Sequence, residues 1–280
     1  MAEISAQLVM QLREKTGAKM MDAKRALVEA EGDMNKAIEL LREKGQADAA
    51  KRTHRAAADG TIAAVQAENG GAAAMVEVNC ETDFVAKTDQ FNTLTNAISH
   101  WMLTQSATNA SGDDLPAAMQ AELKEAISKT GENIQFKRGV KFESADGVVA
   151  SYLHLGGKIG VLVQIDGANT EAVMNLARDL AMQVAAASPE YLRREDVPTE
   201  IIEKEMEIYR NLARNEGKPE QILDKIAQGR LDKFYKENCL MEQTFIKDTD
   251  TTIDTLVQNK AKEAGAALTV RGFIRYQLGQ

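Results

Sequence analysis

Two stretches of this chain repeat one pattern, and a chain that repeats itself in this way has to bury two similar apolar faces. "DGTIAAVQAENGGAAAMVEV" begins at Asp59 and "DGVVASYLHLGGKIGVLVQI" begins at Asp146, 87 residues later. Each reads as a strand, a Gly-Gly turn and a second strand, which is a β-hairpin. Each is followed by apolar residues at helical spacing: Phe91, Leu94, Ile98 and Met102 in the first copy, Val173, Leu176, Leu180 and Val184 in the second. The strand residues Met75 to Val78 match Leu162 to Ile165 at the same offset of 87, whereas the helix stripes stand 82 apart. The first copy therefore holds five extra residues between its second strand and its helix. A duplicated ββα unit accounts for the apolar residues of both copies as the core of an α+β domain, with helices covering one face of antiparallel sheets.

The extra residues fall in "NCETDFVAKTDQF", residues 79–91. The second copy turns with "DGANTEA", so the fold does not require Asp83, Phe84 and Val85. Two readings of Phe84 stand: its ring folds back to cap the sheet end, or it is offered to something else. Connections that carry extra material are where binding residues concentrate.

Upstream of the repeat, Leu8, Leu12, Met20, Ala23, Leu27, Met34, Ile38 and Leu41 recur at three- and four-residue spacings. Breaks at Thr16-Gly17 and Glu31-Gly32-Asp33 divide residues 4–44 into three helices, with Asp33 as an N-cap and Gly45 as the stop after the last. The stretch "QADAAKRTHRAAADG" then reads as an alanine-rich linker, helical or irregular, with a nucleic-acid patch at Lys51, Arg52 and Arg55 as the alternative. Downstream, residues 116–129 read as a helix and "ENIQFKRGVKFE" as a strand. Ile201, Ile202, Met206, Tyr209 and Ala213, then Ile222, Leu223, Ile226, Leu231 and Phe234, make two narrow stripes around Gly217 and Pro219. That is an antiparallel helical hairpin, expected to project as a coiled-coil-like arm that touches a partner or braces the chain itself. A helix over Ile253 to Ala261 and a terminal strand in "ALTVRGFIRYQLGQ" complete the expectation. The divisions are 1–52, a three-helix bundle; 53–140, the first half of the core with the insertion; 141–188, the second half; 189–240, the hairpin; and 241–280, a C-terminal module.

The formal net charge of -8 argues against a chain built mainly to neutralise nucleic-acid phosphates. No secretory start and no membrane-length apolar run is evident, so a cytoplasmic protein is expected. Cys80 and Cys239 lie far apart, and His54, His100 and His154 are scattered, so neither a zinc site nor any other metal or cofactor is indicated. No phosphate loop, nucleophile elbow or dinucleotide fingerprint occurs, and "LGGKIG" sits inside a hairpin rather than before a helix. An enzyme is not expected.

With "LREKTGAKMMDAKRAL", "VNCETDFVAKTDQF", the duplicated hairpins, "GKP" and "GFIRYQLG" in this order, the chain resembles the elongation factor Ts family over its whole length. It departs from the usual pattern at Lys19, where glycine is common, and at Ala23, where cysteine is common. The resemblance implies a guanine-nucleotide exchange factor that acts on elongation factor Tu, GDP-bound and nucleotide-free. It implies that Asp83 and Phe84, flanked by Thr82 and Val85, are presented to the GTPase domain and disturb its magnesium side. The N-terminal bundle, ubiquitin-associated-like, would dock through Lys19, Met20 and Met21. The implied assembly is a heterodimer or a dimer of heterodimers, with no direct nucleic acid and no membrane. An adaptor whose bundle binds peptides is the alternative.

Overall fold

The computed structural model describes residues 4–52 and 54–280. The chain divides into two compact units, one of residues 1–63, 76–140 and 277–280, the other of residues 64–75 and 141–276. The fold is α+β, with ten helices among the described residues.

The first unit opens with α1 (Ala6–Thr16), α2 (Met20–Glu29) and α3 (Met34–Ala50). Ser5 caps α1 by accepting from the Leu8 N–H, and Asp33 caps α3 by accepting from the N–H groups of Asn35 and Lys36. Val9, Leu12, Ala23, Ala26, Leu27, Ala30 and Ala37 form the buried seam between the three helices. One expectation fails here: α3 runs past Gly45, which does not end it. The alanines that follow are good helix formers. Gly45 instead serves packing, because a Cβ there would collide with the Ser128 hydroxyl and lie 3.1 Å from Ser128 Cβ.

Strands β1 (Asp59–Gln66) and β2 (Ala72–Cys80) form the first hairpin. The short helix α4 (Asp83–Ala86) and the longer α5 (Asp89–Thr104) follow. Then come β3 (Asn109–Ala110), α6 (Ala117–Thr130) and β4 (Gln135–Glu143), giving a four-stranded sheet in the order β1-β2-β4-β3. Phe91, Leu94, Ile98 and Met102 are all buried, as their spacing predicts. In β2 the carboxylate of Glu77 is fully buried, held by Arg138 at 2.7 Å, Lys137 at 3.3 Å and the Gly279 N–H at 3.1 Å. A charge taken out of water needs such partners.

The second unit holds β5 (Val148–His154), β6 (Ile159–Asp166) and α7 (Glu171–Ala187). The pairing is antiparallel, Val148 opposite Ile165 and His154 opposite Ile159. Val173, Leu176, Leu180 and Val184 of α7 pack on Val148, Ala150, Val161 and Val163 in one core. Helices α8 (Thr199–Asn215) and α9 (Leu223–Asn238) pack on each other, with Ala213, Leu223, Ala227, Leu231 and Tyr235 buried. Ala227 and Tyr235 replace Ile226 and Phe234 of the predicted stripe in the fully buried positions. Arg210–Asp224 pairs across the two helices at 2.6 Å, and Arg214–Glu220 and Arg230–Glu216 tie each helix to the connection at 2.6 and 2.7 Å. A small pair of strands, β7 (Thr244–Phe245) and β8 (Asp248–Thr252), precedes α10 (Ile253–Ala264) and β9 (Thr269–Gln277), which lies beside β6. The β7-β8 pair was not anticipated, since two and five residues are too few to show alternation.

The repeat extends to the backbone. Gly60 opens the first hairpin with φ +136°, and any Cβ there would run into the Val78 carbonyl and sit 2.7 Å from Asn79 Cα. Gly147 opens the second, and its Cβ would run into the Ile165 carbonyl and sit 2.6 Å from Asp166 Cα. Both the glycines and the carbonyls they touch stand 87 residues apart. No helix among the described residues is long and apolar enough to cross a membrane.

Candidate functional site

The five extra residues of the first copy are not irregular. Past the matched residues Asn79 and Asp166, residues 80–88 lead into α5 where residues 167–170 lead into α7, and the longer stretch contains the single turn α4. Two threonines define it. Thr82 is the N-cap of α4, its hydroxyl accepting from the Val85 N–H at 3.4 Å. Thr88 caps α5 by accepting from the Phe91 N–H at 3.3 Å, and its hydroxyl donates to the Val85 carbonyl at 2.8 Å. Ala86 and Phe91 point inward and are buried, which leaves Phe84 on the opposite side, 80% exposed.

A ring of that size left in water has no reason to be there on folding grounds. Phe84 is not tucked back over the sheet end. Asp83 stands in the first turn of α4, where a carboxylate suits the free N–H groups, and pairs with Lys87 at 2.6 Å. Val85 is half-buried beside it.

The turn is clamped from a distance. Glu132, just past the end of α6, accepts at Oε2 from the N–H groups of Glu81 at 3.2 Å and Thr82 at 3.0 Å, and at Oε1 from the Thr82 hydroxyl at 2.6 Å. Glu81 in turn accepts from the Asn133 N–H at 2.7 Å. Sequence reasoning missed Glu132. No local pattern marks it, because its partners lie 50 and 51 residues away. Beneath the turn, Cys80 is buried with its thiol 3.1 Å from the Thr82 carbonyl, and burial pushes that thiol up to about 11. Such a group is a structural thiol rather than a nucleophile. Glu132→Ala should raise amide hydrogen exchange at Glu81 and Thr82 by roughly tenfold, the consequence of losing charge-assisted bonds worth about 1.4 kcal/mol or more. Residue-resolved exchange measured by NMR checks this, and unchanged protection would remove Glu132 from the account.

Lys19, Met20 and Met21 lie at the amino end of α2, also in the first unit. Lys19 is the N-cap residue and supplies no side-chain acceptor. Met20 and Met21 are 47% and 62% exposed, although the rest of the bundle's large apolar residues mostly turn inward. Thus the structure gathers Thr82, Asp83, Phe84 and Val85 on one turn and Lys19, Met20 and Met21 on another element. No hydrogen bond among the described residues joins the two sets. Among the described residues no three His, Cys, Asp or Glu side chains come together to hold a metal ion.

The model of one protein family, described as elongation factor TS, matches residues 81–280. The chain belongs to the elongation factor Ts family. Elongation factor Ts of Clostridium botulinum strain Alaska E43 is 47% identical over 99% of this chain and 93% of its own length. Elongation factor Ts of Trichlorobacter lovleyi is 43% identical with the same coverage of both chains. The likeness to elongation factor Ts therefore takes in α1 to α3 and the first hairpin as well as the matched residues.

Proposed function

We propose that this chain is a translation elongation factor that promotes release of GDP from elongation factor Tu. The observation that carries the reading is the exposure of Phe84 on a capped, clamped turn that the second copy of the repeat lacks. Membership of the elongation factor Ts family supplies the partner. An exchange factor performs no bond chemistry. It binds the nucleotide-free state of the GTPase more tightly than the GDP state, and by linkage it lowers nucleotide affinity by the same factor.

GDP and magnesium are held by backbone amides, a lysine and hydroxyl or carboxylate ligands, all of which need their loops in place. A phenylalanine driven between side chains near the magnesium side displaces those loops. Asp83 orients the turn through Lys87 and offers a carboxylate beside the ring, while Thr82 and Val85 hold its base. Lys19, Met20 and Met21 form a second contact, made by α1 to α3 as a ubiquitin-associated-like bundle. The working divisions are the bundle at 1–52, core halves at 53–140 and 141–188, a helical arm at 189–240 and a terminal module at 241–280. The assembly is a heterodimer or a pair of heterodimers in the cytoplasm, without nucleic acid or membrane.

Stopped-flow release of a fluorescent GDP analogue from elongation factor Tu, with excess unlabelled GDP and catalytic amounts of this chain, is the direct test. Acceleration is expected; binding without acceleration would leave only an adaptor. Met21→Ala should weaken binding to Tu roughly fivefold, as loss of about 1 kcal/mol at an interface does, with no change in Tm. Titration calorimetry of the variant gives that number, and an unaltered affinity would detach the bundle from the interface.

A further inference from the structure

A cavity of about 530 Å³ opens within the first unit between the helices α1 to α3 and α6. That volume suits a small molecule. Its lining runs against the charge of the whole chain. Among the described residues, seven Lys and Arg and three acidic residues line it, an excess of four cations in a protein of formal net charge -8. Two of the acids are already neutralised, Asp22 by Arg25 at 2.5 Å and Lys44 at 3.0 Å, and Glu125 by Lys129 at 2.6 Å. Lys15, Arg42 and Lys124 line the cavity with no acidic partner among the described residues.

Arg52 supplies an independent observation. It lines the same cavity, and its Nη1 is buried with no hydrogen-bond acceptor among the described residues. Buried donors are nearly always satisfied, so this donor beside an open cavity is suited to a ligand's acceptor. The planar guanidinium matches phosphate oxygens in pairs, and Ile38 and Leu41 in the wall lower the local dielectric and strengthen the attraction. One carboxylate would answer a single cation. Linked phosphates carry several negative charges in a length that this volume holds.

We propose that this cavity is a binding site for a small oligophosphate anion, with Arg52 as its central ligand and Lys15, Arg42 and Lys124 supplying charge. The site is separate from the Phe84 turn, and although Lys19 lines it as well as standing in the proposed second contact, its test does not read exchange activity. Titration calorimetry of the full chain with inorganic tripolyphosphate tests it. One site is expected, with affinity falling about tenfold in Arg52→Met and about threefold in Lys124→Gln, and falling with added salt. Lys233→Gln, an exposed cation of α9, should bind like the parent. Three results overturn the proposal: no binding at low ionic strength, equal losses in all three variants, or tighter binding of a single-stranded RNA oligonucleotide than of tripolyphosphate. Should Arg52→Met unsettle the bundle, Lys124→Gln on the exposed side of α6 decides the matter, because unchanged affinity there also overturns it.

Discussion

Phe84→Ala should reduce the stimulation of GDP release from elongation factor Tu by roughly 30-fold while leaving Tm within about 1 °C. The first figure follows from the 2 kcal/mol or so that a buried aromatic anchor contributes at an interface. The second follows from exposure. A side chain 80% in water supports almost none of its own fold, and surface substitutions of that kind change stability by about 0.5 kcal/mol or less. The pairing of outcomes is what makes the variant informative. A stopped-flow loss together with an unchanged thermal transition places the ring in the partner. A large fall in Tm would return it to its own core, against its exposure in the structure, and retained stimulation would move the working residue elsewhere.

Gly60→Ala should have the opposite signature, a loss of stability on the order of 3 kcal/mol from overpacking and an unfavourable backbone angle together. For a chain of this size that is roughly 10 °C in Tm. The Cβ has nowhere to go, since the obstacle is the Val78 carbonyl and Asn79 Cα, which are backbone, and not the end of a flexible side chain. Gly147→Ala meets the same kind of backbone obstacle, the Ile165 carbonyl and Asp166 Cα, without the left-handed backbone angle, and should lose somewhat less. Differential scanning calorimetry of both variants checks the equivalence of the two copies. A loss in one copy alone would mean that the duplicated sequence no longer imposes a duplicated constraint.

Much of this architecture is legible in the sequence because helical stripes and strand alternation report burial directly. Phe91, Leu94, Ile98 and Met102 could be assigned to a buried face from spacing alone, as could their counterparts in α7. Gly45 could not be read correctly. Glycine after a run of helix formers looks like a C-terminal stop, and only the approach of Ser128, which lies 83 residues further along the chain, shows that it makes room for a neighbour. The turn at Asp83–Ala86 was recognisable as an insertion but not as a helix. Four residues are too few for any period, and the caps at Thr82 and Thr88 are visible only once both ends of the connection are known. Glu132 was out of reach for a related reason, since a hydrogen bond across 50 residues leaves no trace in local pattern.

The hydrogen bonds that Thr82, Thr88 and Glu132 make have a kinetic consequence. The ring is carried by a turn whose two ends are already capped and hydrogen-bonded in the free chain, so little conformational freedom remains to be lost when a second protein arrives. Encounter then resembles the meeting of two finished surfaces, without a slow ordering step. Differences among variants of this turn should accordingly appear as changes in how long the complex lives, with the rate of its formation nearly constant.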